Sequence, residues 1–280
     1  MKKLIVILVA LLVVWWPWPQ AGAQEEEALL TLIHASPDAG EVDAFVDGKL
    51  AFTGIPYGGG QMQSFAAKGH VVKIVLTGEG IEKALATTPV SLQAGQSYTL
   101  IAYSDARRRM ITEFVADDLT PPPPGKFRVR AFQLSPDIGR ADIVLKGGPT
   151  LLSGANFKEF TPRYLEVDKS AYDLEVFASG EPKPAVAISD FKFEAGKIYT
   201  IILTGRKADA GTETGLRPII ASAAISPLIE SIVPPTATLT PTRTPTLSPT
   251  PTSTPSPTPT PPPLPTPLEL PITGGSGPVE

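Results

Sequence analysis

The chain has 280 residues, with 24 Lys and Arg against 28 Asp and Glu and a net charge of −4, so no basic field exists to hold nucleic acid. It has no cysteine and two histidines, His34 and His70, which removes disulfides, thiol chemistry and multi-histidine metal clusters together. Of its 32 prolines, 16 lie from Pro234 onward, so the far end is built on different terms from the rest.

At the front, Lys2 and Lys3 precede an apolar run from Leu4 to Trp16, followed by Pro17, Pro19 and the small residues Ala21, Gly22 and Ala23. A charged start, a short apolar run and an A-x-A site describe an export signal over residues 1–23, cut after Ala23. The apolar run is 13 residues, whereas a membrane-spanning helix needs about 20, so no span is expected after cleavage. Without disulfides, the domains behind the signal must be held by ordinary apolar burial.

The middle of the chain is one unit written twice. His34-Ala-Ser36-Pro37-Asp38 through Gly48 lies over Gln133-Leu-Ser135-Pro136-Asp137 through Gly147, with Ser, Pro, Asp, Gly, Asp and Gly coinciding at an offset of 99. Further on, Ala94-Gly-Gln-Ser-Tyr98-Thr99-Leu-Ile101 lies over Ala195-Gly-Lys-Ile-Tyr199-Thr200-Ile-Ile202 at an offset of 101. Two landmarks in one order imply duplication into modules at 24–120 and 126–233, with Pro121 to Pro124 as a stiff spacer within 121–125.

In the first copy Leu29–Ile33, Val42–Val46, Val71–Leu76, Tyr98–Tyr103 and Met110–Val115 read as strands. Phe127–Phe132, Asp142–Leu145, Asp173–Phe177, Tyr199–Leu203 and Leu216–Ala221 answer them in the second. Gly, Pro, Asp and Ser clusters divide these runs and no sustained helical period appears. The expected fold is all-β: two tandem immunoglobulin-like β-sandwiches of about seven strands each.

From Pro234 the sequence alternates Thr or Ser with Pro and is almost uncharged. Proline at that density removes amide donors and fixes φ, so residues 234–269 are expected to be a disordered or polyproline-II stalk, reaching roughly 100 Å if extended. Its hydroxyls invite O-glycosylation. Within the tail, 270–280, stand Leu270, Pro271, Ile272, Thr273 and Gly274. These resemble the LPxTG sorting signal of proteins joined to bacterial cell walls, in which a transpeptidase attacks the carbonyl between Thr and Gly. That signal also carries an apolar stop segment and a basic tail, and Gly275 to Glu280 supply neither. Two explanations stay open, a chain shortened at this end and a chance match.

The repeated landmarks resemble a family of secreted bacterial modules, domain of unknown function 4397. Its members open with a strand ending in HASPDA, followed by a VDVYVDG-like and an AGTxYTV-like strand. The first copy carries HASPDAGEVDAFVDG and AGQSYTLIA; the second departs at Gln133, Leu134 and Lys146. The resemblance implies tandem modules on an exported or surface-attached chain, and it implies no activity.

Ser36, Pro37 and Asp38, with Ser135, Pro136 and Asp137, are expected to be structural turns, the prolines presetting φ and the carboxylates accepting amides. Asp43 and Asp142 interrupt apolar strands and should bond loop amides or a neighbouring hydroxyl. Tyr98 and Tyr199 would brace a corner through their hydroxyls. Asp38, Glu41, Asp43 and Asp47 do not follow a calcium loop, and the second copy replaces two of them by Arg140 and Lys146. No catalytic elbow or phosphate-cradling glycine loop is present, so neither catalytic residues nor cofactors are expected. Arg107, Arg108 and Arg109 read as a solvated hairpin turn, with contact to anionic wall polymer as the alternative.

Together these features describe an exported, noncatalytic surface or secreted protein, its sandwiches serving binding, adhesion or envelope structure on an extended stalk. The expected partner is an extracellular protein or glycan, with attachment to the cell wall if the tail motif is a sorting signal. The competing reading is a secreted enzyme, or the targeting part of one, acting on envelope polysaccharide.

Overall fold

The computed structural model describes residues 26–223. Among these residues sixteen strands make four four-stranded sheets, and Ile81–Lys83 forms one turn of 3-10 helix. The first sandwich holds β1 (Glu27–Ala35), β2 (Val42–Val46), β3 (Lys49–Ile55), β4 (Gly60–Ala66), β5 (Gly69–Leu76), β6 (Ala86–Ser91), β7 (Ser97–Ser104) and β8 (Met110–Asp117). The second holds β9 (Lys126–Gln133), β10 (Ala141–Lys146), β11 (Thr150–Ala155), β12 (Leu165–Asp168), β13 (Ala171–Ala178), β14 (Val186–Lys192), β15 (Ile198–Thr204) and β16 (Arg217–Ala223).

The first sandwich pairs the sheet β4-β1-β7-β8 with β3-β2-β5-β6; the second pairs β12-β9-β15-β16 with β11-β10-β13-β14. Strand for strand the two orders are the same. Among the named strands each sandwich has one parallel pair, and its register repeats: Leu29 faces Ser97 in β1/β7, and Arg128 faces Ile198 in β9/β15. Those partners are related by the same two offsets that the sequence landmarks show. Each sandwich has eight strands rather than about seven. The strands that periodicity missed, β3, β4, β6, β11, β12 and β14, flank the buried centres; sequences such as GQMQSFA and ATTPVS carry too few apolar residues to announce a strand.

Alternation sorts the side chains of the central strands into separate cores. Leu30 and Leu32 of β1 and Leu100 of β7 enter the first sandwich core, and Phe127 and Val129 of β9 with Ile201 of β15 enter the second. The residues between them turn the other way and meet in a third core between the sandwiches: Ile33, Ala35, Ile101, Tyr103, Phe132, Leu134, Ile202 and Ile219. Ile33 and Phe132, Ala35 and Leu134, and Ile101 and Ile202 occupy matching repeat positions. Each module thus offers the same patch to the other, as in the self-complementary interface of a two-fold dimer. This is why β7 and β15 are buried along their whole length: both faces are covered.

The modules therefore do not hang on a rod. At about 1.5–3 kcal/mol for each large apolar side chain buried, the third core outweighs the small entropy of closing two bodies already joined by a short linker. Pro121 to Pro124 bridge two bodies in contact instead of holding them apart. The linker is also fastened, since the Arg128 guanidinium donates to the Thr120 carbonyl at 2.9 Å and pairs with the Asp118 carboxylate.

Candidate functional site

The repeated Ser-Pro-Asp turns have side chains engaged by the fold. In the first, the Ser36 amide donates to His34 Nδ1 over a long 3.4 Å, and His34 Nε2 donates to the Gly40 carbonyl at 2.9 Å. An amide can donate only to an unprotonated nitrogen, so the ring is neutral with its proton on Nε2. In the second, the Ser135 amide donates to Gln133 Oε1 at 2.7 Å and Gln133 Nε2 donates to the Gly139 carbonyl at 3.2 Å. One acceptor and one donor, spanning the same distance along the chain, are what the position requires, and a neutral imidazole and a carboxamide both supply them. Burial holds the His34 pKa below its ordinary value, against the pull of the Gly40 and Ala39 carbonyls.

The turn carboxylates share one neighbour. Asp137 accepts the amides of Lys207 and Ala208 at 2.7 and 2.9 Å, while Asp38 accepts from the Arg206 guanidinium at 2.8 Å and from Arg108 at 2.7 Å. The segment after β15 is thereby gripped by both modules. Burial would raise the Asp38 carboxyl, but the Ser104 hydroxyl and the Arg206 and Arg108 guanidinia outweigh it and hold the pKa below the usual carboxylate value. Within the Arg107–Arg109 hairpin, Arg108 also reaches Asp209 at 3.1 Å and Arg109 pairs with Asp105 at 2.7 Å. Two of the three arginines are therefore matched to carboxylates rather than left as a bare cationic patch.

Asp43 and Asp142 occupy a second repeated device. Asp43 accepts the Gly54 amide at 2.7 Å, the Gly78 amide at 3.0 Å and the Thr77 hydroxyl at 3.1 Å; Asp142 accepts the Gly154 amide at 2.6 Å. Gly54 and Gly154 have φ of 58° and 56°, and the β2/β3 and β10/β11 registers slip beside them. The in-strand carboxylate ties down a left-handed bulge in the neighbouring strand, a conformation that glycine alone adopts without strain. Tyr98 and Tyr199 accept the amides of Gln93 and Glu194 through their hydroxyls at 3.2 and 3.0 Å.

Between the sandwiches, at one margin of the third core, lies a cleft of about 400 Å³ with walls from both modules. Its inner wall is an ion pair between Arg130 on β9 and Asp117 at the end of β8, the two side chains 5% and 6% exposed. Arg130 also donates to Thr200 at 3.0 Å, to Thr99 at 3.1 Å and to the Ala116 carbonyl at 3.2 Å. Asp117 accepts the hydroxyls of Ser97 at 3.1 Å and Thr99 at 2.8 Å. Thr99 and Thr200 are repeat equivalents, so one arginine ties together the matching threonines of both modules. The Tyr164 ring lies under Arg130 and Arg128, with guanidinium-to-centroid distances of 4.9 and 5.2 Å. Burial pushes its phenol pKa up to about 12.

Among the described residues no cluster of three or more His, Cys, Asp or Glu could hold a metal ion. The signal cleavage residues Ala21 and Ala23 and the motif Leu270, Pro271, Ile272, Thr273 and Gly274 lie outside the described residues.

The family model described as "Domain of unknown function (DUF4397)" matches residues 28–144. That stretch is similar to the DUF4397 family. It runs from β1 across the whole first sandwich and the linker, and ends inside β10. No curated protein matches the chain. Among solved structures, one described as "Alpha-glucan binding by a streptococcal virulence factor" is similar at 12% identity and a TM-score of 0.20, covering 67% of this chain and 97% of that one. A Parabacteroides distasonis protein described as a cell adhesion protein is similar at 10% identity and a TM-score of 0.19, covering 70% of this chain and 97% of that one. Likeness at that level assigns no ligand here.

The DUF4397 landmarks thus mark framework: His34, Asp38 and Asp43 each hold a turn, a linking segment or a bulge. The sequence reading missed Arg130 and Asp117, which lack a counterpart in the other copy; Thr31 stands where Arg130 would be in the first. Gly54 and Gly154 did leave a signal, since Thr53-Gly54-Ile55 lies over Ser153-Gly154-Ala155 at an offset of 100.

Proposed function

We propose that this chain is an exported, noncatalytic binding protein whose two sandwiches act as one body, carried on the Pro/Thr stalk. The observation that carries the reading is the contrast between motif and cleft. The polar side chains of the repeated motifs are engaged in holding the fold, whereas the recess between modules presents groups from both to solvent. A pair of sandwiches fixed by a third core offers a preformed surface, which lowers the ordering entropy of binding.

In this reading residues 1–23 direct export and are removed, 24–120 and 126–233 form the modules, and 234–269 lift them from the cell. The 270–280 tail, with Leu270 to Gly274, is a wall-sorting signal or its remnant. All three tryptophans, Trp15, Trp16 and Trp18, fall in the cleaved segment, so exported protein should show tyrosine but not tryptophan emission. The deciding experiment combines cell fractionation with binding of the labelled protein to envelope preparations, alongside a panel of glycoside and peptide substrates. The reading expects surface-associated protein, saturable envelope binding and no turnover. Turnover abolished by changing Asp38 or Asp43 in a still-folded protein would replace it with the enzymatic one.

A further inference from the structure

We propose that the cleft between the sandwiches binds a neutral, hydroxyl-rich ligand, one or two sugar units of a neutral hexose glycan. This deepens the binding reading and rests on it. The argument is from size, charge and surface chemistry. A volume of about 400 Å³ lies at the lower end of the range for small-molecule sites, roughly 300–1,000 Å³.

The charged groups lining the cleft, Arg130 and Asp117, are one of each sign and are paired with each other. Their remaining bonds go to Thr99, Thr200, Ser97 and the Ala116 carbonyl. An ionic ligand would give up its hydration without meeting an unmatched counter-charge, which selects for neutrality. Tyr164, its pKa raised by burial, keeps its phenolic proton at any physiological pH.

The rest of the lining alternates two kinds of surface. Ile33, Met62 and Leu119 are apolar, and Met62 is 45% exposed. Thr31 and Ser222 add hydroxyls that no hydrogen bond within the described residues occupies. A pyranose has the matching duality, C–H faces for the apolar wall and hydroxyls that both donate and accept. Because the third core fixes both walls, the ligand would meet a site already formed.

The test titrates the full mature chain by calorimetry with maltotriose and cellotriose, using trigalacturonate as the charged counterpart. Ser222→Trp fills the mouth from an exposed position, and Thr31→Val removes a hydroxyl at nearly constant volume; thermal melting of each variant checks folding. At least one neutral trisaccharide should bind, trigalacturonate should bind more weakly, and Ser222→Trp should lower affinity about ten-fold or more, with Thr31→Val a few-fold weaker. The cleft assignment is overturned if envelope binding persists while neither neutral sugar binds, if Ser222→Trp binds sugar as well as the parent, or if trigalacturonate binds best. Absence of binding to sugars and envelope alike overturns the binding reading along with it.

Discussion

If His34 serves only as a neutral donor–acceptor pair, the second module already contains its replacement, and His34→Gln should be nearly silent. The substitution keeps an acceptor for the Ser36 amide and a donor for the Gly40 carbonyl, as Gln133 does for Ser135 and Gly139. The expected loss is about 1 kcal/mol or less. His34→Leu is comparable in bulk but leaves the buried Ser36 amide unmatched at about 1–3 kcal/mol, while the carbonyl of the exposed Gly40 can turn to water. The Ser36 bond is long at 3.4 Å and belongs at the low end, and loss of the Gly40 bond adds about 0.5–1 kcal/mol, so the expected total is about 1.5–2.5 kcal/mol.

Urea unfolding at about pH 7.5 measures both variants, and a second series at about pH 5 adds an independent check. Burial lowers the folded-state pKa of His34 below 6.5, so the unfolded chain binds the proton more readily. The stability that the neutral ring contributes is present above pH 6.5 and is lost as pH falls toward the lowered folded value. Glutamine has no such slope, so the parent should lose ground to His34→Gln on going to acid. The reasoning fails if His34→Gln is as damaging as His34→Leu, or if parent and His34→Gln change in parallel between the two pH values.

Three further outcomes follow from the same geometry. Asp117→Ala should cost about 3–5 kcal/mol by stranding a buried guanidinium, and the double change Asp117→Leu with Arg130→Met should recover most of it in denaturation experiments. Gly154→Ala should destabilise slightly more than Gly54→Ala: both impose about 1–2 kcal/mol of left-handed strain, and the new Cβ at 154, 2.5 Å from Arg140 Nη2, would also push that exposed, flexible guanidinium off the Gly154 carbonyl, whereas the nearest atom at 54 is Glu41 Oε2 at 3.9 Å. Burial raises the Asp43 carboxyl, yet the Gly54 and Gly78 amides and the Thr77 hydroxyl hold its pKa below 3.8; its contribution should persist above that pH and vanish as pH falls through the lowered value, a slope missing from Asp43→Asn in acid unfolding curves.

The buried centres of the fold were legible in the sequence because β1, β7 and β15 carry apolar runs interrupted mainly by single threonines (Thr31, Thr99, Thr200), and β9 alternates Phe127, Val129 and Ala131 with Arg128 and Arg130, each between turn residues. The flanking strands were not, because half-buried strands such as β4 and β14 place polar residues on their exposed positions. The Ser-Pro-Asp turns could be located from proline and aspartate alone. Their partners could not: Asp137 takes amides of its own module, whereas Asp38 takes a guanidinium from the other, and nothing near either aspartate distinguishes them.

By itself the sequence determined an all-strand body, its internal repetition and the change to a proline-dominated chain at Pro234, all properties of local pattern and composition. Tertiary structure alone decided that the two modules are fused through a third core, that Arg130 and Asp117 meet, and that a cleft forms beside them. Burial on one face of a strand shows as alternation along the chain. Burial on both faces shows only as a continuous apolar run, which looks the same whether the second face meets its own module or its neighbour.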